Sequence, residues 1–252
     1  MKVLSLGAGV QSSTIVHLII DGTLPKPDVA IFADTKWEPQ AVYEHLKRLE
    51  SYAADNDFKI TRVSAGDLRR DALTPDHRFA SMPLYTKDAM NSVGMLRRQC
   101  TREYKLAPIL IEIRKHGATA KNPTEMWIGI STDEAMRMKD SRVKYAVNKW
   151  PLIDLGWGRD SCREYLKRIG WDVPKSSCIG CPFHDNHYWK RMKQNEPEEW
   201  ADAVEFDEAI RNNVGREPVY LHRNAIPLER VYLGEDQLDL FQIAECEGMC
   251  GV

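Results

Sequence analysis

The stretch Val29-Ala-Ile-Phe-Ala33 is apolar at every position and is bounded by Asp28 and Asp34. A strand wetted on one face alternates polar and apolar residues, whereas one that is apolar throughout is covered on both faces. A parallel sheet meets that demand, because each crossover returns the chain through a helix lying on the sheet. The flanking segments agree. Lys2–Leu6 is a short apolar run, and residues 14–20 form a dense apolar patch that fits a buried helix ending near Gly22. Residues 39–54 set Val42, Leu46, Leu49 and Ala53 on one helical face, and residues 58–63 read as a third strand. The chain therefore opens β-α-β-α-β, the pattern of an α/β fold with a parallel sheet and helices on both faces.

Beyond this opening the pattern predicts a long connection without clean periodicity over residues 66–98, near the ligand. A helix is predicted over 102–115, a fourth strand over 126–130, a short strand over 150–155 and a helix over 160–169. Two more helices follow over 187–194 and 197–212, with Pro197 placed for a first helical turn. The tail from Pro218 reads as irregular. The expected division is an α/β domain over residues 1–171 and a cysteine-containing, mostly helical region over 172–252. No repeat or low-complexity tract is visible.

The glycine-containing loop after the first strand, Leu4-Ser-Leu-Gly-Ala-Gly-Val-Gln-Ser-Ser-Thr-Ile15, sits between a strand and a helix. That geometry aims free backbone N–H groups at an anion, and the helix dipole adds to the attraction. It is equally the geometry of a plain turn with a serine cap. The Walker loop is excluded, since no lysine follows the glycines. The dinucleotide fingerprint Gly-x-Gly-x-x-Gly fails only at Ser12, and Asp34 stands near where a ribose-binding acid belongs, so that template stays open.

Six cysteines lie at 100, 162, 178, 181, 246 and 250. No run approaches the ~20 apolar residues of a membrane span, and the first ten residues are broken too soon for a signal peptide. The expected compartment is the cytoplasm, where cysteines serve as metal ligands or redox groups more than as disulfides. Cys178-Ile-Gly-Cys181 is the strongest local signal, able to grip one metal or one cluster edge. A redox pair or two buried thiols are the alternatives, and His184 and His187 keep zinc in play. Cys162 alone reads equally as a small buried residue.

Several segments together resemble one superfamily. Gly7-Ala8-Gly9-Val10-Gln11-Ser12 resembles the pyrophosphate-binding loop, Ser-Gly-Gly-x-Asp-Ser, of the adenine nucleotide α-hydrolases, or PP-loop ATP pyrophosphatases. Residues 32–39 (FADTKWEP) resemble the second-strand motif of that group. Residues 99–109 (QCTREYKLAPI), 129–141 (GISTDEAMRMKDS) and 176–184 (SSCIGCPFH) are similar to its phosphoadenosine-phosphosulfate-reductase-like branch. The resemblance implies a five-stranded parallel sheet of Rossmann-like type with the nucleotide across the carboxyl ends of the strands. It implies that Ser5, Gly7, Ala8, Gly9, Gln11, Ser12 and Ser13 hold ATP or another adenine nucleotide by its phosphates. Ala33, Asp34 and Thr35 would lie near the adenosine, with Lys105 as a phosphate cation. Gln11 departs from the pattern by standing where the loop acid belongs. Cys100 joins Cys178 and Cys181 as a cluster ligand by the same resemblance, with Cys162 as a weaker fourth, for a [4Fe–4S] cluster or, alternatively, Zn²⁺. The tail of residues 245–252 (ECEGMCGV) is partly similar to the Glu-Cys-Gly tail whose cysteine attacks sulfur, which makes Cys246 a catalytic candidate. Extra metal ligands or a disordered end are equal alternatives there.

Charge is uneven although the net value is only −2. Residues 97–115 and 137–149 are both rich in Arg and Lys, which suits a polyanionic ligand, while any one of these charges is as readily a solvated face. Asp133 would hold Mg²⁺ or orient a substrate, or else serve a helix N-terminus. Arg137 and Lys139 would neutralise phosphates. The leading expectation is an ATP-pyrophosphatase-type enzyme that adenylylates its substrate, releases pyrophosphate and couples this to sulfur transfer through the cysteines. The acceptor would be a nucleic acid or modified base, as in related thiolation enzymes, and a sulfur-donor or thioredoxin-type protein the partner. The runner-up is a sulfonucleotide reductase using a tail cysteine. The third is a nucleotide-binding regulatory protein without turnover, which Gln11 favours.

Overall fold

The computed structural model describes residues 1–74, 82–211 and 217–234. Its centre is a five-stranded, all-parallel sheet of β1 (Lys2–Leu6), β2 (Val29–Ala33), β3 (Ile60–Val63), β6 (Thr124–Ile128) and β7 (Ala146–Lys149), in the order β3-β2-β1-β6-β7. Period-2 alternation sorts the side chains onto two faces. Leu4, Leu6, Ala30, Phe32 and Trp127 meet α1 (Val10–Ile20), α2 (Gln40–Ala54) and α6 (Arg159–Arg168). Val3, Val29, Ile31, Met126 and Ile128 face the other way, toward Ile109 and Ile113 of α4 (Ala107–Lys115). All five residues of β2 are buried, as a strand covered on both faces requires.

The segment over 66–98 carries α3 (Leu68–Leu73) and the three-residue strands β4 (Tyr85–Lys87) and β5 (Val93–Met95). They belong to a small second sheet, β5-β4-β8, whose third member β8 (Val219–Tyr220) comes from far along the chain. Around it, Leu68, Met82, Leu84 and Tyr104 share a core with Trp189 of α7 (Asn186–Asn195) and Phe206 of α8 (Pro197–Ile210). This second core draws on both sides of the expected division at 171/172. The expected strand over 150–155 is a correction: β7 lies just before it, and Pro151 instead starts the short helix α5 (Pro151–Asp154). Proline has no N–H to give a ladder and suits a first helical turn.

The helix expected over 102–115 is two pieces. Thr101–Leu106 is a wide π turn that runs into α4. Pro108 explains it, because its ring crowds the carbonyl four residues earlier and it donates no hydrogen bond. The widened turn leaves Tyr104 and Lys105 both buried. No helix among the described residues is long and apolar enough to cross a membrane.

His17 of α1 is packed against Tyr52 and Trp171, and His45 of α2 stands edge-on to the same Trp171. Burial pushes each imidazole down to about 4. Both are therefore neutral in the fold and take up protons on unfolding below about 6.5. Stability should be full above about pH 6.5 and fall as the pH drops toward about 4. Urea denaturation across that window should show the loss, and His17→Phe should flatten it; a pH-independent midpoint in the parent chain would refute the assignment.

Candidate functional site

β1 ends at Leu6 and α1 begins at Val10, so three residues make the turn. Ala8 adopts the left-handed conformation (φ 56°), and Gly9 precedes the helix with no side-chain cap. An uncapped first turn leaves backbone N–H groups without intrahelical partners at the positive end of the helix dipole. Ser12 ties the loop together, its Oγ accepting from Gly7 N at 3.2 Å and donating to the Gly9 carbonyl at 3.4 Å. Ser176 Oγ donates to the Gly7 carbonyl, which anchors the segment before the Cys-x-x-Cys to the loop. Ser13 is turned inward: its hydroxyl lies 2.8 Å from His45 Nε2, joining α1 to α2 rather than facing the loop. Ser5 is buried on β1 just before it.

On one flank, the segment after β6 presses on the first turn of α1. A Cβ at Gly129 would sit 3.1 Å from Ser12 N, so glycine there permits the approach. Gln11 is fully buried, and its Nε2 donates to Ser131 Oγ at 3.3 Å and to Glu134 Oε2 at 3.2 Å, while its Oε1 has no partner. Glu134 pairs through its other oxygen with Arg137 Nη1 at 2.6 Å. The carboxylate beside the loop is thus Glu134, brought from the segment after the neighbouring strand β6 to the amide that replaces the expected acid. Asp133 instead anchors the start of α6, where its Oδ1 accepts from Arg159 N at 2.7 Å. Burial alone would raise the Asp133 carboxyl, but the N–H groups of Arg159 and of Asp133 itself, the Ser131 hydroxyl and the Arg159 charge together outweigh it and hold the group below its ordinary value. Lys139 is exposed and lies with Arg137 on a separate groove.

On the other flank, Ala33 ends β2 and the turn after it carries Asp34 and Thr35. Asp34 Oδ1 accepts from Lys36 N at 2.8 Å and Tyr43 OH at 2.9 Å, and Oδ2 pairs with Lys36 Nζ at 2.8 Å. Burial favours its neutral form, yet these donors prevail and hold the carboxyl below its ordinary range. Next to it is a buried polar cluster centred on Glu38. Its Oε1 accepts from Lys105 Nζ at 3.2 Å, Thr35 Oγ1 at 3.2 Å and Cys178 Sγ at 3.5 Å; its Oε2 is buried without a partner. Burial and the Glu38 charge push the Cys178 thiol well up, so it is protonated and a donor.

The Cys-x-x-Cys segment lies over this cluster. Ile179 N donates to the Trp37 carbonyl at 2.9 Å, and a Cβ at Gly180 would fall 2.1 Å from the Trp37 ring, so only glycine fits. His184 Nε2 is within 2.9 Å of the Cys178 carbonyl and 3.1 Å of the Ile179 carbonyl, and the ring stacks on Tyr188 at 3.8 Å. Carbonyls only accept, so Nε2 carries the proton, and the imidazole acts as a clamp on the loop. Cys100, Cys178 and Cys181 line one cavity of about 30 Å³, with Arg98 and Lys105 in the same wall. Cys162 is elsewhere, fully buried in the core between α1 and α6. The donor types of the three grouped cysteines suit a thiolate-bound metal. Among the described residues, however, no three His, Cys, Asp or Glu side chains are gathered closely enough to hold one. The tail cysteines Cys246 and Cys250 lie outside the described residues.

No family model matches this chain, and no curated protein is significantly similar to it. Glu38, His45 and Ser176 are the site residues that sequence reading missed. Glu38 stands inside FADTKWEP, yet nothing in its spacing marks it as a buried acid.

The Glu38–Lys105 pair is nearly closed to solvent, with side chains 1% and 10% exposed. Lys105→Met should leave a buried, unpaired carboxylate and cost about 3–5 kcal/mol. Adding Glu38→Gln should recover most of that loss in urea denaturation. If the double variant is no more stable than the single one, the two groups are not coupled.

Proposed function

We propose that the chain is an adenine-nucleotide-dependent enzyme of the ATP-pyrophosphatase type that activates an acceptor oxygen for replacement by sulfur. One observation carries the reading: the strand order reverses between β1 and β6, and at that crevice, outside the carboxyl ends, stand the Gly7–Gly9 loop and the uncapped start of α1. Open parallel sheets bind ligands at such a reversal. The resemblance of residues 5–13 to a pyrophosphate-binding loop supports the nucleotide identity.

In this reading the β- and γ-phosphates rest on the loop amides, and the acceptor oxygen attacks the α-phosphorus. The bond to the pyrophosphate oxygen breaks, and the leaving charge falls on N–H groups already oriented toward it. Mg²⁺ arriving with the nucleotide would neutralise part of the phosphate charge. Glu134 supports the reading from behind the loop, supplying the carboxylate that Gln11 lacks and fixing Gln11 by its amide. A sulfur nucleophile from a donor then displaces AMP, forming the carbon–sulfur bond as the carbon–oxygen bond to AMP breaks. Cys100, Cys178 and Cys181 would hold a cluster or Zn²⁺, which when bound would keep sulfur beside the activated carbon. Lys105 and Glu38 keep that wall of the site charged and closed to water.

ATP should bind the parent chain, and Gly9→Val, which sets two methyl groups over the loop amides, should abolish binding while leaving the far-ultraviolet circular dichroism unchanged. Retained binding would make the loop a plain turn. Anaerobic purification should yield iron and sulfide, or zinc, in proportion to protein. Cys178→Ala should lose the metal and keep ATP binding; unchanged metal content would remove these cysteines as ligands. Sulfite release from adenylyl sulfate with a thiol reductant, without AMP or pyrophosphate from ATP, would replace the reading with the reductase.

A further inference from the structure

The two basic segments meet. The π turn and α4 on one side, and residues 137–150 on the other, enclose a groove of about 850 Å³ against the face of β6. That is toward the upper end of the ~300–1,000 Å³ typical of small-molecule pockets. Its walls carry six cations, Arg102, Arg114, Lys115, Arg137, Lys139 and Arg142, against the single carboxylate of Asp140. The whole chain is slightly acidic at −2, so this concentration of positive charge is local. Arg102, Arg114, Lys115, Lys139 and Arg142 are exposed.

The floor is a different material. Leu106 and Leu110 are apolar and half-buried, above the buried Met126 and Ile128 of β6 and Ile130 just beyond it. Two aromatic side chains, Tyr145 and Trp150, stand in the same lining, and Ile111 is 58% exposed at the rim. Arg114 lies over the Tyr145 ring at 4.9 Å. A cationic rim above an apolar, aromatic floor matches a flexible polyanion that carries flat apolar faces. Phosphates meet the rim, and bases leave water against the floor. A duplex hides its base faces in its own stack and offers nothing to such a floor. A second copy seated symmetrically would set these cations against themselves.

We infer that this groove binds a single-stranded nucleic-acid segment, with Arg102, Arg114 and Arg142 on its phosphates and Tyr145 and Trp150 against its bases. As a binding surface it stands on its own geometry. As the seat of the acceptor it rests on the function proposed above, and the placement is favourable. Ile130 lines the groove and lies between Gly129, where an added Cβ would fall 3.1 Å from Ser12 N, and Ser131, which meets Gln11. Arg137 lines it too and is paired with Glu134, which also holds Gln11. The segment after β6 thus joins the groove to the glycine loop, although no loop residue lines the groove itself.

Fluorescence anisotropy with the full chain and a labelled 12-nucleotide single strand, as DNA and as RNA, tests this. Binding should be salt-sensitive and tighter than to a duplex of the same sequence. Arg102→Glu/Arg142→Glu should weaken it at least ~10-fold and make the log–log salt slope shallower by about 1 or more, as expected when two phosphate contacts are lost. Tyr145→Ala should weaken single-strand binding and leave the affinity for inorganic polyphosphate unchanged. ATP binding at the glycine loop, measured on the same double variant, should stay as in the parent. No single-strand binding, insensitivity to the double charge reversal, or equal competition by polyglutamate or polyphosphate would each overturn the inference. If the strand binds and ATP does not, the groove stands and the proposed activity falls; the opposite result removes the groove alone.

Discussion

The hydrogen bonding of β1 on both sides is the constraint from which the rest of the architecture follows. Leu4 is in register with Ala30 of β2 and with Trp127 of β6. A central parallel strand can be reached only by crossovers, and here one set of connections leaves toward β3 while the chain later returns beside β1 to β7. The two sets diverge at the carboxyl end of β1. There the strand order reverses, and the Gly7–Gly9 turn stands at the reversal. Burial of both faces of the sheet makes this unavoidable: Leu4 and Leu6 are committed to one core and Val3 to the other, so β1 cannot shift by one residue without exchanging them.

Around that crevice the protein accepts buried polar groups that a purely structural fold would avoid. Gln11, Glu38, Lys105 and Glu134 are all buried. Each is tied to a second polar residue from another part of the chain or the next turn, yet Gln11 Oε1 and Glu38 Oε2 lack partners. Desolvating such groups costs free energy that hydrophobic replacements would not. Gln11, Glu38 and Glu134 follow the carboxyl ends of β1, β2 and β6, so this cost falls at one end of the sheet.

Much of the frame was legible because strong local patterns carry it. Val29–Ala33 declared a strand buried on both faces, and the Val42, Leu46, Leu49 and Ala53 stripe gave α2 to within a residue of its start. Other parts had no local signature. The α1 helix begins four residues before the apolar patch at Thr14, since Gln11, Ser12 and Ser13 are buried polar residues, with Gln11 bonded to Ser131 after β6 and Ser13 to His45 of α2. β7 reads as Ala-Val-Asn-Lys because an edge strand needs few apolar residues. β4 and β5 are three residues each, too short for a period, and the pairing of β4 with β8 spans more than a hundred residues. At the site, the type and spacing of Cys178, Cys181 and Lys105 were visible, whereas the separation of Cys162 from them depends on which helix face turns inward.

The glycine at 180 and the proline at 108 show how backbone-limited residues reach into chemistry. Without Gly180 the cysteine segment could not lie on Trp37, and Cys178 would not meet Glu38. Without Pro108 the turn before α4 would tighten to ordinary helix, and the residues of 101–106 would rotate about the axis. That turn divides its side chains between two sites: Lys105 goes inward to Glu38, and Arg102 goes outward to the basic groove. Residues three apart on a regular helix share a face, so a widened turn is what lets one segment serve both the buried cluster and the groove. The buried cluster and the groove thereby share a single irregular turn, and on the other side of the crevice the Gln11–Glu134–Arg137 contacts link the glycine loop to the groove wall.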